Sequence, residues 1–117
     1  MTMESSGEIA LIKQIESYDL LENLIQQITK DADLAGVMFI CDKDISAKEL
    51  IRKVYVFLFE LMTADFGTYL NFLYRVDISE KTLKSMPETE PELIAKHVTL
   101  LVLKREWQKV WFRNKTQ

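Results

Sequence analysis

Two short polar runs hold the residues best suited to chemistry: Tyr74-Arg75-Val76-Asp77 and, later in the chain, Arg105-Glu106. Each stands at the edge of a strongly apolar stretch, so burial should reach the charges. An unpaired charge out of water is too costly to persist. Reciprocal pairing is therefore expected, Arg75 with Glu106 or Asp77 with Arg105. As machinery, Arg75, Asp77 and Glu106 together with His97 would form an anion site or an acid–base pair, which requires all four to line one water-accessible pocket. As structure, Arg75, Asp77, Arg105 and Glu106 form an ion network that fixes the register of two helices. The structural reading is preferred.

The remaining reactive residue types point the same way. His97 is the sole histidine, and the position three before it is Ile94, so the Glu-x-x-His pairs of helical di-metal sites cannot be written. It reads as a partly exposed helix residue. Cys41 stands beside Asp42, and an acidic neighbour raises a thiol pKa instead of activating it. Asp31-x-Asp33 with Gly36 opens like a calcium loop, but its fifth and ninth positions are Ala35 and Phe39, and its twelfth is Asp42 in place of a bidentate Glu. The glycines are Gly7, Gly36 and Gly67, each isolated, so neither a phosphate-binding loop nor a dinucleotide fingerprint is present. No metal, cofactor or catalytic residue is expected. Lys104, Lys109, Arg113 and Lys115, interleaved with Trp107, Trp111 and Phe112, could contact an anionic partner such as nucleic acid. At helical spacing, however, Trp107, Val110 and Trp111 continue the side that carries Leu100 and Leu103, which makes them core.

The elements that position these residues are helices. Between Ile9 and Ile28 the residues Ile12, Ile15, Tyr18, Leu21, Leu24, Ile25 and Ile28 recur at three- and four-residue steps, in one helix or in two divided near Ser17-Tyr18-Asp19. Residues 1–8 are expected to fray, with Ser5 or Ser6 as a cap. Lys30 to Ile45 breaks the period and reads as a loop, whose Val37-Met38-Phe39-Ile40 is too short and isolated to build a sheet and should tuck onto the helices. Ser46-Ala47-Lys48-Glu49 is a capping box with Ile45 and Leu50 as its staple. The stripe Leu50, Ile51, Val54, Phe57, Leu58, Leu61, Met62 follows, widened by Tyr55, Val56 and Phe59. Thr63-Ala64-Asp65 and Gly67 mark a kink or a break before the period resumes at Phe66, Tyr69, Leu70 and Leu73. Asp77 is placed to cap a short helix through Met86, which Pro87 closes. The last helix spans Glu90 to Lys115, with Thr89 as cap and Pro91 in its first turn. Val98, Leu100, Leu101, Val102 and Leu103 point all round it, so its middle should be surrounded. The fold class is all-α: an irregular up-and-down bundle of four to five helices around a long buried C-terminal helix, residues 1–117 forming one domain.

Bulk properties agree. The chain has 117 residues, 48% of them hydrophobic and 28% charged, enough for one packed core. A single cysteine allows no intrachain disulfide, which fits a reducing compartment. The acidic start lacks the features of a secretory signal, and no apolar run reaches the ~18 residues that a membrane span needs. A cytoplasmic protein without membrane contact is expected. Charge is uneven: residues 1–50 carry four cations against ten anions, whereas residues 96–117 carry six cations against one anion. The simplest cause is that an early acidic helix lies beside the basic end of the last one.

Leu73-Tyr74-Arg75-Val76-Asp77-Ile78-Ser79-Glu80, with Lys104-Arg105-Glu106-Trp107-Gln108-Lys109 and Arg113 downstream, resembles a group of small bacterial all-helical proteins with no assigned function. The resemblance covers the second half of the chain. It implies a bacterial cytosolic domain and brings no functional residues with it. The preferred function is that of a non-enzymatic helical domain acting through protein contacts, including self-association. The alternative is a nucleic-acid-binding accessory protein that uses the basic helix end.

Overall fold

The computed structural model describes residues 6–115. Among the described residues the fold is all-helical: α1 (Ser6–Ser17), α2 (Leu21–Leu34), α3 (Ala47–Ala64), α4 (Phe66–Val76), α5 (Glu80–Lys84) and α6 (Pro91–Lys115). Ser6 to Glu8, expected to fray, are helical, while residues 1–5, including the candidate cap Ser5, lie outside the described residues. Six helices stand where four or five were expected. The sixth arises because both segments left open as one helix or two divide, the first at Tyr18-Asp19-Leu20 and the 47–76 segment at Asp65. The first division frees Tyr18 to set its ring against Trp111, centroids 4.6 Å apart at 63°, and against Trp107 at 5.9 Å. Aromatic pairs of this kind contribute about 1 kcal/mol beyond the area they bury.

Helix α2 corrects the expectation of a loop from Lys30. It runs on to Leu34 because Asp31 and Ala32 face inward, continuing the buried side of Leu24, Ile25 and Ile28. A buried aspartate interrupts an apolar period in the sequence without interrupting the helix. Gly36, at φ +80°, supplies the left-handed residue that ends it, and the Val37 amide returns to the Ala32 carbonyl at 3.0 Å. The loop that follows docks through Phe39 alone of its Met38-Phe39-Ile40 run. Phe39 meets Phe57 edge-on at 5.1 Å, and Phe57 meets the fully buried Phe72 at 5.2 Å. Met38 and Ile40, expected to tuck in, each remain 72% exposed.

The capping signals place the next boundaries. Ser46 Oγ accepts from the Glu49 amide at 3.1 Å and donates to Glu49 Oε1 at 3.2 Å. Asp65 closes α3 and opens α4 at once: its amide donates to the Leu61 carbonyl, and its carboxylate accepts from the amide and hydroxyl of Thr68. Those two bonds hold the Asp65 carboxyl below its ordinary pKa. The role expected for Asp77 belongs to Ser79, whose Oγ accepts from the Thr82 amide at 3.1 Å. Asp77 instead ends α4 in the left-handed region (φ 78°), letting the Ile78 amide reach the Leu73 carbonyl at 2.9 Å. At the last helix Pro91 is the first helical residue and the Glu90 carbonyl accepts from the Ile94 amide. The cap position is therefore Glu90, one residue later than expected.

Helix α6 is the hub. It packs against α1, α2, α3 and α4, burying Ala95, Val98, Thr99, Val102, Leu103, Glu106, Trp107 and Val110. Leu100 and Leu101 are half-buried, so the wrapping is nearly but not fully closed. Among the described residues no helix is long and apolar enough to cross a membrane.

Candidate functional site

Two constellations, one polar and one apolar, emerge from this framework. The first lies where α2, the end of α4 and the basic end of α6 meet. Lys109 Nζ stands 2.9 Å from Asp31 Oδ2, 3.2 Å from Glu106 Oε1, and donates to the Arg75 carbonyl at 3.0 Å. One ammonium thus neutralises a buried aspartate and satisfies a carbonyl in the last turn of α4, where a cation also meets the negative end of the helix dipole. Gln27, one turn before Asp31, donates to Asp31 Oδ2 at 3.2 Å and accepts from Arg113 at 2.6 Å. The acidic early helix does lie beside the basic end of the last one.

Glu106 is the anomaly of this cluster. Its side chain is 0% exposed, and neither oxygen accepts an aligned hydrogen bond among the described residues. Burial and the adjacent Asp31 carboxyl push it up to about 9, the Lys109 ammonium only partly opposing them. Near neutral pH it is a carboxylic acid, and its proton lets two carboxyl groups face each other.

Of the two pairings expected from the sequence, the structure contains Asp77 with Arg105 and not Arg75 with Glu106. Arg105 reaches Asp77 at 2.9 Å, on the surface. Glu106 does not pair with Arg75. It points into the core toward Lys109, whereas Arg75 is exposed and only its carbonyl joins the cluster. Adjacent residues on a helix diverge by ~100°, so Arg105 and Glu106 could not both face the same partner. His97 lies elsewhere, its Nδ1 2.9 Å from Glu88 Oε1 in a shallow surface depression with Leu93 and Leu100, and that bond lowers the Glu88 pKa. Arg75, Asp77, Glu106 and His97 therefore share no pocket. Of the four cations proposed for an anionic partner, Lys109 and Arg113 commit donors inside the fold, while Lys104 and Lys115 are exposed.

Cys41 is half-buried, and burial, with Asp42 and Glu49, raises its thiol pKa against the opposing Lys53. Asp31, first ligand of the imagined calcium loop, is instead a buried ion-pair partner. Among the described residues no acidic, His or Cys cluster is arranged to hold a metal ion.

The second constellation was not foreseen as a unit. The 35–46 loop lies along α3, tied down by Lys53 Nζ donating to the Ile40 carbonyl at 3.1 Å. Between them runs an open groove of about 500 Å3, floored by Phe39 and Phe57 and walled by Met38, Ile40 and Val56. Glu49, Arg52 and Glu60 stand along its rim. The sequence signal was present in the breadth of the α3 apolar face, which included Val56 and exceeded what one seam could cover. Comparison with protein-family models, curated proteins and solved structures finds no match.

Proposed function

We propose that this chain is a non-enzymatic helical domain that acts through protein contacts at the groove between the 35–46 loop and α3. The observation that carries the reading is the exposure of Met38 and Ile40, 72% each, beside Val56 at 46%. Three neighbouring apolar side chains left in water on a tethered loop and a rigid helix are what a contact surface presents. The separation of Arg75, Asp77, Glu106 and His97 supports the absence of a catalytic role. The internal commitments of Lys109 and Arg113 count against the nucleic-acid alternative. A reducing, cytoplasmic setting in a bacterium remains part of the proposal, resting on the single cysteine and the sequence resemblance.

Site-specific photo-crosslinking in living cells tests it. A crosslinking amino acid at position 40 should give discrete protein adducts, with this chain or another, that Val56→Glu removes. The same probe at the exposed Lys84 should not. Equal adduct yields at the two positions would remove the proposal.

A further inference from the structure

We infer that the exposed face of α3 pairs antiparallel with the same face of a second copy of this chain, about a two-fold axis passing through Val56. The inference rests on the protein-contact reading and names the partner. Its basis is the arrangement of charge around the groove. Arg52 and Glu60 stand four residues before and four residues after Val56, so all three share one side of the helix. All three are exposed and line the same groove. Among the described residues neither Arg52 nor Glu60 is held in an ion pair of its own chain.

An antiparallel crossing centred on Val56 sets Val56 against its own copy. Arg52 then falls opposite Glu60 of the second copy, and the symmetry repeats the pair on the other side of the axis. Glu49 falls opposite Thr63 and Lys53 opposite the half-buried Phe59, so no like charges meet. A parallel crossing would instead oppose Arg52 to Arg52 and Glu60 to Glu60. The ion pairs select orientation and register, while apolar burial supplies the attraction. Met38 and Ile40, both exposed on the adjoining loop, flank the crossing and extend its apolar centre beyond the single α3 face.

Sedimentation equilibrium of the full chain, from low to several hundred micromolar, tests the pairing. The unaltered chain should show a monomer–dimer equilibrium. Arg52→Glu and Glu60→Arg should each raise the dimer Kd by about tenfold or more, and the two combined should restore it. Val56→Glu, which opposes two carboxylates at the axis, should give a monomer. These positions are exposed, and circular dichroism will confirm that each variant folds. A strictly monomeric chain would overturn the pairing, as would a dimer indifferent to the charge reversals or not restored by the double exchange. A monomeric chain whose position 40 still crosslinks to a different protein would overturn self-pairing while leaving the protein-contact proposal standing.

Discussion

Glu106 shows how far one side chain can depart from its solution chemistry when its surroundings are fixed. The ordinary carboxyl value is 4.5 and the folded one about 9, so between those limits the folded chain holds a proton that the unfolded chain has released. The stability this proton linkage supplies is full below about pH 4.5 and is lost progressively as the pH rises to about 9. Glu106→Gln keeps the shape and removes the ionisation. It should stabilise the protein at pH 7 by ~1–3 kcal/mol and flatten the decline of stability toward alkaline pH. Urea unfolding at several pH values measures both effects, and an unchanged slope would contradict the assignment. Lys109→Met works in the opposite direction. It leaves Asp31 charged and buried without its cation, at a cost of roughly 3 kcal/mol in the same assay.

At the scale of elements, the boundaries follow capping chemistry more closely than hydrophobic period. Ser46 was legible because the serine, the glutamate three residues on and the flanking apolar residues all lie next to one another in sequence. Ser46→Ala should lower stability by about 1 kcal/mol in equilibrium unfolding. Asp77 was misread because an aspartate suits either end of a helix. The choice depends on whether its backbone turns left-handed, which the path of the chain toward α5 decides. The length of α2 was misread for a different reason. Asp31 looks like a helix-ending residue until Lys109, distant in sequence, is seen to neutralise it. Local signals could be read, and so could one distant pair, Asp77 with Arg105; the pairing of Lys109 with Asp31 could not, because helical period fixes which face a residue takes but not the rotation of one helix against another.

In the whole molecule α6 supplies the surface on which the other long helices assemble, a role its evenly distributed apolar residues already suggested. Leu103→Ala, at a fully buried position of that helix, should cost about 2–5 kcal/mol. Tyr74→Ala, at a side chain 78% exposed, should cost little, and paired thermal melts will separate the two. The loop side of the groove escaped prediction because exposure belongs to the assembled fold: Met38 and Ile40 are as apolar in sequence as Phe39, and the docking of Phe39 onto Phe57 leaves them outside. The loop that carries them also joins the two parts of the chain at a single exposed crossing, where Lys43 sits in a turn. The helices before it nonetheless touch those after it at four separate seams, α1 with α3 and α6, α2 with α4 and α6. Trypsin acting briefly on the native protein should therefore cut after Lys43 without dismantling it, and the two fragments should elute together from a sizing column until urea parts them.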